Sequence, residues 1–392
     1  MKRISIFCDG TWSHADQRNT TNVALLNGRV LDHDADGVSQ VQRYFPGVGV
    51  VRGRGPIFGL AEKLAGGAMG IGLDDRILEA YGALSQLYEP GDQVMVFGFS
   101  RGAYTARSLI GLIRNAGLPP RVTPALARAC MALYRDTGPA TAPDAPASLD
   151  FRLRHSPGIT TSRAEIAFRA DRTPDAVPFR ITYLGCWETV GSLGVPANLP
   201  TASLLNRRYR FHDTALSSMV MSARHAVALD ERRRTYAPAL WSNLARLRRE
   251  NPEGSYLQEW FPGVHGAVGG GGDIAAISTI TLMWIAEGAQ RAGLALDRLA
   301  LRQLRGKADL LGPLPNRSAR PSPLWRLLPQ RDRAGPDSLE DLAHPAIARC
   351  RAARFPRDWT GRPYRPGPLR ALERHILRAD AAALGDYTGP FA

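Results

Sequence analysis

Gly98-Phe99-Ser100-Arg101-Gly102 is a GxSxG pentapeptide. A serine that attacks a carbonyl must stand clear of its sheet on a tight strand-to-helix turn, and small residues two before and two after it let the backbone pass. A helix starting after Ser100 points its N-terminal amides at developing negative charge. In a chain with 39 glycines the bare pentapeptide also reads as an ordinary structural turn. The apolar run before it and Ala103-Tyr104-Thr105-Ala106-Arg107 after it supply the context that a nucleophile requires. A hydroxyl at neutral pH needs a base, and the base needs an orienting carboxylate. Of the eight histidines, those beyond Ser100 come first, because one triad order runs serine, acid, histidine. His265, just ahead of Gly269-Gly270-Gly271-Gly272, is the leading base, carried on a loop after a strand; His225, on an expected helix, is the alternative. Either also reads as a surface or satisfied core histidine. For the acid, Glu188 follows an expected strand ending at Cys186, where α/β folds place functional side chains. Asp230 is the alternative and is expected to pair with a neighbouring arginine. Asp9 also sits at a strand end, but ahead of the serine.

These residues need a scaffold, and the alternation of short apolar runs with amphipathic stretches predicts an α/β architecture: a mostly parallel sheet flanked by helices. Ile4–Cys8 reads as a first strand ending in the turn Asp9-Gly10-Thr11, which by itself is an ordinary Asx-type turn. Gly72 to Tyr88 reads as a helix with Ile77, Leu78, Tyr81, Leu84 and Leu87 on one face. Gln93–Phe97 follows as a buried strand, Gly102 to Asn115 as a helix, Phe179–Cys186 as a strand and Ile274 to Ala289 as a helix. Residues 137–150, rich in Pro, Ala and Asp, read as a loop or insertion. Beyond about residue 311 the chain turns rich in Pro and Arg. The division expected is a catalytic domain over 1–300 and a C-terminal extension, 301–392, packing on it.

The 392 residues are 44% apolar and 22% charged, which excludes a disordered chain. The net charge is +14, and apart from Lys2, Lys63 and Lys307 all the basic side chains are arginine. That reads first as a base-composition bias; no basic block interleaved with aromatics marks a nucleic-acid face, so no nucleic-acid partner is expected. No run of ~18 apolar residues predicts a transmembrane helix. The short apolar patch before Asp9 does not make a signal peptide, so the expectation is a cytoplasmic protein or one exported by another route. Cys8, Cys130, Cys186 and Cys350 show no CxxC spacing, against a zinc knuckle or disulfide framework. The glycine run lacks the strand–GxGxxG–helix or GK[ST] setting, and there is no HExxH, so neither cofactor nor catalytic metal is expected.

Several segments together resemble a known family, the α/β-hydrolase-like proteins whose best-understood members are the phospholipase effectors of type VI secretion. They are Phe7-Cys8-Asp9-Gly10-Thr11-Trp12 with Asn19 and Thr21-Asn22-Val23; Gly98 through Arg107; Trp187-Glu188-Thr189-Val190-Gly191-Ser192-Leu193-Gly194; Ala228 through Arg233; and Trp260-Phe261-Pro262-Gly263-Val264-His265 with its glycines. They occur in the family's order over roughly residues 4–290. The resemblance implies Ser100 as nucleophile, His265 as general base and Glu188 as acid. It also implies an oxyanion site made by the Arg101 amide and an amide of the Gly10-Thr11 turn, which Asp9 orients. Two positions depart from the family: glutamate stands at 188 where aspartate is usual, and Gly266-Ala267 follows the histidine where Ser-Asp is usual. A third departure is size, since the membrane-contacting region of the effectors has little room here. The implied function is hydrolysis of carboxylic esters, foremost lipid or phospholipid acyl esters, through an acyl-enzyme. The implied partners are a lipid or ester substrate, a membrane surface touched peripherally, and an immunity or secretion partner. Against this stand two other readings: a catalytically weak or inactive binding protein of the same fold, and a soluble small-molecule esterase.

Overall fold

The computed structural model describes residues 1–11, 13, 19–48, 68–191, 214–272, 275–312, 314, 330–352 and 363–378. Its strands are β1 (Arg3–Cys8), β2 (Gln40–Phe45), β3 (Gln93–Phe99), β4 (Ile159–Thr160), β5 (Val177–Pro178), β6 (Ile181–Trp187), β7 (Ala223–Ala228) and β8 (Tyr256–Phe261). Six of them form one sheet in the order β2-β1-β3-β6-β7-β8, every neighbouring pair parallel, while β4 and β5 make a separate small pair. The central strands β1, β3 and β6 are apolar and buried along most of their length because both faces of the sheet are covered there. In β1, Ile4, Ile6 and Cys8 join one buried cluster and Phe7 the other; in β3, Val94 and Val96 take the first face, and Met95, Phe97 and Phe99 the second. That is the two-residue period of a strand distributing one sequence between two cores.

The first face is closed by the helices Ala68–Leu87 and Arg101–Ala116, through residues such as Ile77, Tyr81, Leu109 and Leu112. The second is closed by Asn22–Asn27 and Ala276–Arg291, through Val23, Leu26, Leu282 and Ile285. The C-terminal segment joins this second core: Leu342 bridges Trp260 of β8, and Ile347, Tyr364 and Ile376 are buried in the same cluster. Among the described residues, no helix is long and apolar enough to cross a membrane.

Two expected elements come out differently. The stretch 137–150 contains a short 3-10 turn, Pro139–Thr141, and the start of a helix, Pro146–His155. This helix is anchored by charge rather than by an apolar stripe. Arg152 donates to Glu165 at 2.8 Å, Arg169 pairs with the same carboxylate, and all three side chains are buried. His225 lies in the middle of strand β7 and not on a helix. The prolines at 313, 315, 321, 323 and 329, like Trp12, Ser192, Leu193 and Gly194, lie outside the described residues.

The topology locates a site. From β1 the chain passes to the edge strand β2, returns to β3 on the far side of β1, and then steps outward through β6, β7 and β8. The direction of winding thus reverses between β1 and β3. In open parallel sheets the crevice beyond the carboxyl ends at such a reversal is where ligands bind.

Candidate active site

Five strand ends meet at that crevice. β3 ends at Phe99, Ser100 follows with φ 58° and ψ −122°, and the helix Arg101–Ala116 starts at the next residue. This backbone conformation is costly for a residue with a side chain and persists only where its surroundings impose it. They do so through the two glycines. A Cβ on Gly98 would lie 2.5 Å from Ala103 Cα, and one on Gly102 would lie 2.1 Å from the carbonyl oxygen of Cys8. The helix therefore packs its first turn directly on the backbone of β1 and β3, and the serine is pushed out over the sheet. The spacing in the pentapeptide is thereby explained sterically. Gly269 does similar work across the crevice, lying flat on the Phe99 ring, where a Cβ would come within 1.9 Å of Cε2.

Glu188 follows β6 directly and is, with Ser100, one of two described non-glycine residues at positive φ, here 49°. His265 opens the short helix His265–Gly269 after β8, rather than standing on a loop. The three side chains form one chain of hydrogen bonds: Ser100 Oγ to His265 Nε2 at 2.8 Å, and His265 Nδ1 to Glu188 Oε2 at 2.9 Å. All three residues are buried. The imidazole is wedged between two aromatic rings, tilted on Phe99 at 4.8 Å and edge-on to Tyr236 at 4.8 Å, which fixes its plane.

Charge placement suits proton transfer. Burial alone would raise the Glu188 carboxyl, but the Arg333 guanidinium and the His265 ring outweigh it and hold the group well below the usual carboxylate range. Glu188 also accepts from the Ala228 amide at 2.6 Å, at the end of β7. Glutamate carries one methylene more than aspartate, and at this length both of its oxygens are bonded. Burial lowers the His265 pKa below 6.5, with Glu188 partly offsetting it, so the ring is neutral and able to accept a proton at neutral pH.

The β1 turn lies against the serine: a Cβ on Gly10 would come within 3.4 Å of Ser100 Cβ. Asp9 holds that turn from below, taking the Gly10 amide at 2.6 Å on one oxygen and the hydroxyls of Thr21 at 2.7 Å and Tyr44 at 2.5 Å on the other. Thr11 is next in the turn, with a buried Oγ1 that has no partner among the described residues. Arg101 sits at the first position of its helix, with its side chain partly buried.

The alternatives go elsewhere. His225 is fully buried, accepting from the Thr189 amide at 3.2 Å and contacting Gln258 Oε1 at 3.1 Å; burial, then the Arg107 charge, push it down to about 3. It is a neutral core histidine that braces the Glu188 loop. Among the described residues Asp230 does not bond to an arginine as expected; it accepts from the Gly263 amide at 2.6 Å and the Tyr364 hydroxyl at 2.9 Å. Two contributors have no local signature in the sequence, Tyr236 and Arg333, whereas the Ala228 amide opens the recognised segment that runs to Arg233. Glu231 lies in a recognised segment and faces the His265 amide at 3.3 Å.

Fold and site together define the class, an α/β protein of the hydrolase-like type with a Ser–His–carboxylate chain at the carboxyl edge of its sheet. The chain belongs to the family described as type VI secretion phospholipase effector, Tle1-like, catalytic domain, whose model matches residues 2–288. An uncharacterized protein of Saccharomyces cerevisiae is 30% identical over 240 residues, which cover 59% of this chain and 31% of that protein. Among solved structures, an uncharacterized protein from Pseudomonas aeruginosa matches at 18% identity and a TM-score of 0.39, over 80% of this chain and 51% of that one. The Tle1 effector bound to the VgrG spike of the type VI secretion system matches at 17% identity and a TM-score of 0.32, over 69% of this chain and 51% of that one. The chain thus spans about a third to a half of the length of these relatives.

Proposed function

We propose that the protein is a serine hydrolase that cleaves carboxylic esters, with phospholipid acyl esters as the leading substrates. The observation that carries this reading is the unbroken hydrogen-bond chain from Ser100 Oγ through His265 to Glu188. In the first step His265 Nε2 takes the hydroxyl proton as Ser100 Oγ attacks the ester carbonyl, and Glu188 stabilises the imidazolium. The tetrahedral oxyanion collapses, the carbon–oxygen bond to the alcohol breaks, and His265 returns its proton to the leaving oxygen. Water, deprotonated by the same imidazole, then attacks the acyl-enzyme, releasing the carboxylic acid and restoring the serine.

The oxyanion donors are the Arg101 amide at its helix N-terminus and the Thr11 amide. Asp9 already occupies the Gly10 amide, so of the two turn amides Thr11 is the one left for substrate. Asp9 accordingly acts by shaping the turn.

Membership of a phospholipase effector family supports the lipid over a small soluble ester. It also supports delivery by a secretion apparatus, an immunity or secretion partner and peripheral contact with a membrane, proposals that extend from the family to this chain. The test is labelling with a fluorophosphonate probe of the wild type, Ser100→Ala and His265→Ala, followed by hydrolysis of phospholipid liposomes against short-chain p-nitrophenyl esters. Labelling and turnover that vanish in both variants are expected. A wild type that neither labels nor turns over any ester would favour a binding protein on this fold, and soluble-ester turnover without liposome hydrolysis would favour a metabolite esterase.

A further inference from the structure

Arg333 lies beyond the matched residues 2–288, in the C-terminal segment, yet its guanidinium reaches the centre of the site. It grips both oxygens of Glu188, Nη1 to Oε1 at 2.8 Å and Nη2 to Oε2 at 2.9 Å, in the two-pronged geometry that arginine makes with a carboxylate. The same two nitrogens donate to the carbonyl oxygens of Ala228 at 2.5 Å and Tyr236 at 2.7 Å. Ala228 is therefore clamped on both sides, its amide on Glu188 and its carbonyl on Arg333. Tyr236 is the residue whose ring stands edge-on to His265, with the Arg233 guanidinium over that ring at 3.7 Å. The Arg333 side chain is only 5% exposed and that of Glu188 1%.

The segment carrying Arg333 is tied in place before it arrives. Gln330 bridges Arg233, the Arg331 amide donates to the Arg232 carbonyl at 2.9 Å, and Asp332 pairs with Arg232 at 2.8 Å. This short zipper runs beside the loop leaving β7 and delivers the arginine to the crevice. A buried carboxylate whose sole cationic partner were an imidazole would share that partner's proton. A permanently charged guanidinium on both oxygens keeps it ionised and stops it from rotating.

Resting on the serine-hydrolase reading above, we propose that Arg333 is a positioning residue of this site: the C-terminal segment supplies the fork that holds Glu188 toward His265 and keeps it an anion. The activity of the domain then depends on chain beyond the residues that define its family.

The test uses the full chain with Arg333→Gln and Arg333→Lys, read as kcat and KM across pH on a neutral p-nitrophenyl ester and normalised to folded protein. The guanidinium offsets part of the Glu188 charge. Without it the Glu188–His265 pair takes up a proton at higher pH, whichever atom holds it. Arg333→Gln should lower kcat roughly tenfold to a hundredfold, as loss of an orienting partner typically does, with KM little changed. Its acid limb should move up by about one pH unit. Arg333→Lys, which keeps the charge and loses the fork, should leave the limb near that of the wild type with an intermediate kcat. Arg333→Gln with wild-type kcat and acid limb would overturn the proposal. So would a drop in yield or melting temperature with the limb unmoved, which is what a purely structural role produces. If Arg333→Gln does not fold, wild-type kcat in Arg333→Lys overturns it. Should the wild type show no Ser100-dependent turnover, the hydrolase reading falls separately. The imidazole titration of His265, followed by NMR and assigned with His265→Gln, then decides: a raised midpoint in Arg333→Gln sustains the fork's role, and an unmoved one ends it.

Discussion

Replacing Glu188 by glutamine tests the site at its most constrained atom pair. The carboxylate accepts four hydrogen bonds: Ala228 N and Arg333 Nη1 on Oε1, His265 Nδ1 and Arg333 Nη2 on Oε2, all between 2.6 and 2.9 Å. An amide of the same size keeps one oxygen and turns the other into a donor. If the nitrogen replaces Oε1, the Ala228 amide and one guanidinium N–H lose their acceptor. If it replaces Oε2, the other guanidinium N–H loses its acceptor and His265 must flip to the tautomer with its proton on Nε2, aimed at a hydroxyl it can no longer deprotonate. A wrong tautomer at a serine triad costs about 10⁴ in rate, equivalent to about 5 kcal/mol of barrier. The buried guanidinium left without an anion should cost about 3–5 kcal/mol of stability. The assay is p-nitrophenyl ester turnover per folded molecule, paired with urea unfolding of the same preparations. A Glu188→Gln protein with kcat within tenfold of the wild type would refute the assignment of the acid. One with unaltered unfolding would refute the account of the buried ion pair.

Three further outcomes follow from the same geometry. Because burial depresses the His265 pKa, the acid limb of kcat/KM should fall below pH 6.5, activity rising with pH through the limb as the imidazole loses its proton; a limb above pH 7 would contradict this. Gly102→Ala places a methyl 2.1 Å from a main-chain oxygen of β1 that cannot rotate away, so it should destabilise by at least about 3 kcal/mol and abolish fluorophosphonate labelling. Labelling at the wild-type rate would show that the elbow tolerates a larger residue than its packing allows. Burial raises the Asp230 carboxyl to about 6, so its contribution to stability is full below 3.8 and lost as pH rises through about 6. Asp230→Asn, which retains an acceptor for the Gly263 amide and the Tyr364 hydroxyl, should gain stability relative to the wild type above pH 6 and lose that advantage in acid. A difference that does not change with pH, measured by urea unfolding, would discount the carboxyl's titration.

The strand ends also explain how a glutamate side chain reaches all of its partners here. Glu188 sits at positive φ immediately after β6, while His265 and the Ala228 amide come from strands on the outer side of β6. The side chain therefore has to reach across the ends of neighbouring strands, and the longer carboxylate still meets the imidazole, the amide and the guanidinium together.

What was legible in the linear chain is whatever short-range sterics dictate. Two glycines around Ser100 can be read as a close helix-on-strand packing because the clash they avoid lies within a few residues of the serine or on its neighbouring strand. The apolar runs of β1, β3 and β6 announce a sheet covered on both faces. Other features escaped. The sequence of β7, Ala-Arg-His-Ala-Val-Ala, is poor in β-branched residues and reads as helix; it is a strand because pairing with β6 and β8 overrides its local preference. The helix Pro146–His155 escaped because a buried arginine, not an apolar stripe, fastens it. By residue type alone Glu188 and Asp230 were equivalent, and the folded chain sends one to the imidazole and the other to Tyr364. Arg333 is the extreme case, one arginine among many in a basic tail, 145 positions from the carboxylate it grips. Sterics act along a few residues of chain, whereas the strength of an ion pair is set by which segments exclude water from it, and that is decided only when the tail folds back over the sheet's edge.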